Sequence, residues 1–131
     1  MNWKRIAVFV GMLFLATGAA SFPFGFIQGL LAAQHRQVPG WVPVAQMMAV
    51  PVAAAGVFYL LARRQADRPW GHALAVATLA WLLSFPLNVV ALGRPFIEWA
   101  LEIIVGLVAL GVGVGIAKLQ DTGGRRNEPA V

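Results

Sequence analysis

Two carboxylates stand four residues apart in an otherwise uncharged stretch, Glu98 and Glu102 in Glu98-Trp99-Ala100-Leu101-Glu102. On a helix that spacing puts both on one face, where two like charges raise at least one pKa, and removal from water pushes the same way. Such a pair can bind a cation, respond to protons, or serve as acid and base. Asn88, Gln46 and Gln28 supply neutral ligands, and His35, Arg36 and Arg94 fall in the connections beside them.

The first function open to this set is transport or small-solute or ion binding. Glu102 would be the responsive carboxylate, Glu98 its entrance partner, and Asn88, Gln46 and Gln28 the neutral contacts. A second reading is a non-catalytic accessory subunit of a larger membrane complex, in which these groups only bond helices together. A third is a membrane-embedded enzyme on a lipid-like substrate, with the two Glu as proton donor and acceptor and Asn88 holding a substrate oxygen. The two non-enzymatic readings are preferred.

Other chemistries find no residues. The chain has no cysteine, which removes disulfides, thiol catalysis, zinc fingers and iron–sulfur clusters. Its two histidines, His35 and His72, are expected at opposite membrane faces, so no metal or haem site is assigned and no cofactor is expected. Gly111-Val112-Gly113-Val114-Gly115 lacks the lysine and preceding strand of a phosphate loop.

Composition fixes the setting. Of 131 residues 60% are hydrophobic and 11% charged. Counting glycine, the apolar share is roughly 70%, against about 45–50% in soluble domains. In a soluble chain the net charge of +5 would suggest nucleic acid. Here the basic residues occupy short connections between apolar runs, where they orient a chain in a bilayer.

A hydrocarbon core about 30 Å thick takes about 20 helical residues. Four runs qualify, at residues 6–33, 41–62, 72–92 and 95–117, each ending at charge or Pro/Gly punctuation. The expected fold is an all-α integral membrane protein, a four-transmembrane-helix bundle over residues 1–119 with a disordered cytoplasmic tail over 120–131. Lys4, Arg5, Arg63, Arg64, Arg68, Lys118, Arg125 and Arg126 fall on one side, and only Arg36 and Arg94 on the other. That bias places both termini in the cytoplasm of a bacterial-type inner (plasma) membrane. Trp3, Trp70, Trp41 and Trp99 fall at span ends as interfacial anchors, and Trp81 lies mid-helix. Residues 4–21 also fit a cleavable export signal, but the apolar run continues to Ala33 and reads as an uncut helix.

Depth sorts the polar residues. At about 1.5 Å per residue from Pro95, Glu98 lies about 4–5 Å deep and Glu102 about 10–11 Å deep. Gln28, Gln46, Asn88 and both Glu share the outer half. This predicts an outward-facing polar pocket rimmed by His35, Arg36 and Arg94, with an Arg94–Glu98 pair at i, i+4 as the structural alternative. Below it, small or polar stripes are expected to meet at the bundle axis. They are Gly11, Phe14, Gly18, Ser21, Gly25 and Gln28 on helix 1; Gln46, Ala49, Ala53 and Gly56 on helix 2; Ala77, Trp81, Ser84, Asn88 and Ala91 on helix 3; and Gly106, Ala109, Gly113 and Ala117 on helix 4.

Pro23, Pro51 and Pro86 are expected to kink their helices, Pro23 and Pro86 by freeing the carbonyls of Ala19 and Leu82. Pro23 and Pro86 close two copies of Ser-Phe-Pro, which suggests a duplicated helical hairpin. Gly25-x-x-x-Gly29 and Gly111-x-x-x-Gly115 offer faces for helix packing within the chain or in a homodimer. Lipid is the expected surrounding and nucleic acid is not a partner.

Overall fold

A computed structural model describes residues 3–65 and 68–125. The chain forms α1 (Trp3–Ala33), α2 (Trp41–Arg64), α3 (Pro69–Phe85), a π-helical extension of α3 (Pro86–Ala91), and α4 (Phe96–Arg125). With α3 and its extension taken as one rod, all four helices are long and apolar enough to cross a membrane.

Helix ends follow local chemistry. At the end of α1 the His35 N–H donates to the Ala32 carbonyl at 3.0 Å and the Arg36 N–H to the Leu31 carbonyl at 2.9 Å. His35 has φ 51°, so these two bonds form a Schellman cap with histidine in the left-handed position usually held by glycine. Arg68, also at φ 51°, precedes Pro69, and its carbonyl accepts the N–H groups of Gly71 and His72. Gly93, at φ 62°, turns the chain toward α4, where the Pro95 carbonyl accepts from Glu98 and Trp99.

The prolines do not act alike. α1 and α2 remain α-helical through Pro23 and Pro51, while Pro86 begins the π segment, closed by the Leu92 N–H on the Leu87 carbonyl at 3.0 Å. Both Ser-Phe-Pro copies bond the serine hydroxyl to the carbonyl three residues back, Ser21 to Gly18 and Ser84 to Trp81. The shared tripeptide gives a shared hydroxyl contact but two backbone outcomes.

α1 packs on α2 and α3, and α4 packs on α2 and α3, leaving α1 and α4 at opposite corners. The α2–α4 interface is the most extensive. It is closest at Gly113, where an added Cβ would meet the Ala55 carbonyl oxygen, with Phe58 Cβ and Tyr59 N each at 2.9 Å. The starts of α1 and α3 and the ends of α2 and α4 lie together, a basic end joined by Arg5–Gln65, Gln65–His72 and Tyr59–Gln120 contacts. Both ends of the described chain therefore lie at one end of the bundle.

The core is large on small. Ile6, Phe9, Val10 and Leu13 of α1 and Val57, Phe58 and Leu61 of α2 share one cluster with Ala73, Val76, Ala77 and Ala80 of α3 and Ala109, Val114 and Ala117 of α4. The expected stripe of α4 does face inward, with Ala109, Gly113 and Ala117 buried and Gly106 half-buried. The stripe expected on α1 mostly does not, with Gly11, Phe14, Gly18 and Gly25 exposed and Ser21 and Gln28 half-buried, while on α2 Gln46, Ala49 and Ala53 are half-buried and Gly56 is exposed. Close packing explains the difference, because four small faces meeting at an axis would leave a void, and bulky side chains from two helices fill it.

α4 also runs beyond Gln120. The Gln120 side-chain oxygen accepts from Tyr59 and Arg63, and the Thr122 hydroxyl bonds the Lys118 carbonyl, so the first residues of the expected disordered tail are helical through Arg125. Residues 126–131 lie outside the described residues.

Candidate functional site

Burial is uneven along the bundle. In the half that carries Glu98 and Glu102, Val42 and Trp99 are the buried side chains among the described residues; all others so buried lie at mid-bundle or toward the basic end. The carboxylate half thus buries few side chains, and its polar groups are half-buried or exposed.

Those groups form two pairs on two hairpins. On the α1–α2 hairpin the Gln28 amide donates to the Gln46 oxygen at 2.9 Å. On the α3–α4 hairpin Arg94 NH1 donates to Glu102 Oε1 at 2.8 Å, the side chains being 48% and 40% exposed. No hydrogen bond or ion pair links the two pairs among the described residues. The expected Arg94–Glu98 pair is replaced by Arg94–Glu102. The physical reason is that Arg94 precedes α4, on the turn made by Gly93 and Pro95, so helical i, i+4 spacing does not apply to it. From there its long side chain folds back over the first turns of the helix.

Glu98 is exposed in the first turn of α4, where its charge is favourable to the helix dipole, and has no ion-pair partner among the described residues. Asn88 is half-buried on the π segment; its carbonyl accepts the Arg94 N–H at 3.0 Å. Its side-chain amide makes no hydrogen bond among the described residues. Arg36 and His35 are exposed at the end of α1, where His35 serves as the helix cap.

Trp81 and Trp99 form the most developed feature of this half, and sequence reasoning missed it. Their rings stack with centroids 4.1 Å apart and 10° between planes. Each indole N–H donates to the other's backbone carbonyl, at 3.0 and 3.2 Å, and the Trp99 N–H also reaches the Ser84 hydroxyl at 3.0 Å. Phe85 packs edge-on against Trp99, and Phe96 is tilted against it. Trp99 is only 5% exposed, so it is a helix-to-helix rivet and not an interfacial anchor. Trp81 in mid-span, where no interface exists, was the available signal. Glu102 follows Trp99 by one helical turn, so the ion pair sits beside a rigid aromatic platform.

A second polar network closes the basic end. His72 is 8% exposed, with Nδ1 3.3 Å from the Arg68 carbonyl and Nε2 3.2 Å from the Gln65 amide nitrogen. A carbonyl can only accept, so Nδ1 carries the proton, Nε2 accepts from Gln65, and the Gln65 oxygen accepts from Arg5 at 3.1 Å. Arg63 bonds Gln120 and lies over the Tyr59 ring, and Lys118 lies over the Trp70 ring. These contacts tie all four helices at the basic end. No family model matches the chain, and no curated protein or solved structure matches it.

Proposed function

We propose that the chain is a multi-pass protein of a bacterial-type plasma membrane, both termini cytoplasmic, whose sparsely buried carboxylate half faces outward and binds or transports a small cationic solute. The eight-to-two distribution of Lys and Arg supports the orientation. The observation that carries the binding reading is the half-exposed ion pair between Glu102, within the candidate span of α4, and Arg94, on the turn before it.

A bare carboxylate about 10 Å into hydrocarbon is costly, so Glu102 needs a counter-ion. Arg94 supplies it from a turn outside the helix, while Glu102 is fixed on α4. An organic cation can therefore take the place of Arg94, keeping the site neutral before and after exchange. Gln28, Gln46 and Asn88 belong to the same half as neutral contacts, and the exposed ring of Phe96, packed on Trp99, supplies aromatic surface beside the first turns of α4. Such exchange gives ligand selectivity by charge first and by fit second.

The test uses the indoles as reporters. Tetraphenylphosphonium titrated into protein in lipid nanodiscs should saturably change tryptophan fluorescence, and Glu102→Gln should abolish the saturable change. An unchanged spectrum, or an identical titration in Glu102→Gln, contradicts the reading. The accessory-subunit alternative rests on the Gln28–Gln46 bond, which joins neighbouring helices. Under it, Glu102→Gln leaves co-purification with a membrane partner intact.

A further inference from the structure

We infer that Glu98 receives the Arg94 guanidinium when a cation takes the carboxylate of Glu102, so that the arginine is handed from one glutamate to the other. The inference rests on the exchange reading above and adds to it a part for Glu98 and a limit on the ligand's charge. Two carboxylates and one arginine share the turn before α4 and the first turns of that helix, and Arg94 pairs with one of them, Glu102, at 2.8 Å. Glu98 is exposed, with no ion-pair partner among the described residues. Arg36, on the connection after α1, also makes no ion pair among the described residues.

Spacing puts Glu98 within reach. Glu98 and Glu102 are one turn apart on α4, which leaves about 5–6 Å between their Cβ atoms on a shared face. Arg94 already extends to the carboxylate farther along the chain, so its guanidinium has only to draw back by one helical turn to meet the nearer one. Its backbone stays in place, because the Arg94 N–H donates to the Asn88 carbonyl at 3.0 Å. The hand-over is therefore a change of rotamer in a side chain that is 48% exposed, and neither helix has to move.

Depth sets the direction. Four residues at about 1.5 Å each put Glu102 about 6 Å deeper than Glu98, and a bare carboxylate costs more the farther it lies from water. Without ligand Arg94 therefore serves Glu102, and Glu98 stands alone near the headgroups. Once a cation holds Glu102, the displaced guanidinium is a like charge beside it, and Glu98 draws that charge away. The end state is two neutral pairs, ligand with Glu102 and Arg94 with Glu98. A second positive charge on the ligand finds no carboxylate on this hairpin, so the exchange selects a monovalent cation.

A double-mutant cycle tests this, with tetraphenylphosphonium titrated into nanodiscs holding wild type, Glu98→Gln, Arg94→Gln or Arg94→Gln/Glu98→Gln and read by tryptophan fluorescence. The loss of affinity caused by Glu98→Gln should be about fivefold larger beside Arg94 than in Arg94→Gln, the worth of one exposed ion pair. It should be undiminished in an Arg36→Gln background. An equal loss with and without Arg94 means that Glu98 attracts the ligand by its own charge, which overturns the hand-over and leaves binding at Glu102 standing. A loss that vanishes in Arg36→Gln overturns it as well, by giving Glu98 a different partner. No saturable change in wild type, or the same titration in Glu102→Gln, overturns the binding reading and the hand-over together.

Discussion

Adding one methyl group at Gly113 should separate local helix propensity from interhelical packing. Alanine is favoured over glycine in a helix by about 1 kcal/mol. At Gly111 and Gly115, where an added Cβ finds nothing within 4 Å, Gly→Ala should therefore stabilise by about that amount. At Gly113 the same methyl meets the Ala55 carbonyl oxygen, Phe58 Cβ and Tyr59 N. Carbon atoms pack best at about 3.5–4.0 Å, and two of these neighbours are backbone atoms that cannot rotate away. α4 must then retreat from α2 by about 1 Å, at an overpacking cost of about 2–3 kcal/mol. Net of propensity, Gly113→Ala loses about 1–2 kcal/mol, leaving it about 2–3 kcal/mol below Gly115→Ala. Reversible unfolding by sodium dodecyl sulfate in lipid mixed micelles, followed by far-ultraviolet circular dichroism, measures the difference. A Gly113→Ala protein as stable as Gly115→Ala would refute the close approach of α2 and α4.

His35→Gly should raise stability by about 0.5–1 kcal/mol by relieving the left-handed conformation of the α1 cap, with His35→Ala showing no gain; a less stable His35→Gly in the same unfolding assay would contradict the cap. Trp81→Phe and Trp99→Phe each remove that indole's own N–H donation and half of the stacked pair, so each should cost about 2–3 kcal/mol and the double variant about 1–2 kcal/mol less than their sum. Strict additivity in that cycle would mean that the rings do not act as a pair.

What the chain discloses by inspection depends on how local the cause is. The four spans follow from uninterrupted apolar length, and their ends from Pro, Gly and charge, so both were legible. The inward face of α4 was legible as well, because Ala109, Gly113 and Ala117 are small at helical spacing. On α1 the same pattern misled: Gly11, Gly18 and Gly25 permit close approach, but the inward face is set by where Ile6, Phe9 and Leu13 find room against α2 and the alanines of α3. That choice involves all four helices and leaves no mark on one of them.

The candidate site divides in the same way. Gln28, Gln46, Asn88 and Glu102 could be assigned to one half of the bundle by counting residues, yet their partners could not. Gln28 meets Gln46 across a hairpin, and Arg94 bypasses Glu98 because a positive-φ glycine and a proline remove it from the helix. Trp99 lies close enough to a span end to read as an anchor until Trp81, eighteen residues earlier, is seen stacked on it. Similarly, Pro23 and Pro86 share a tripeptide, but only the second opens a π segment, where the chain is about to leave the span.

The central claim is an open, polar, outward half above a closed, apolar, inward one. A chain without cysteine allows single thiols to be placed at will. Gln46→Cys and Asn88→Cys, each half-buried in the carboxylate half, and Ala77→Cys, buried in the core, would be treated in intact cells with a membrane-impermeant maleimide. Labelling of Gln46→Cys and Asn88→Cys from outside, with Ala77→Cys reacting only after denaturation, is the predicted result. Reaction of Asn88→Cys only after the cells are permeabilised, or of Ala77→Cys at the same rate, would contradict it.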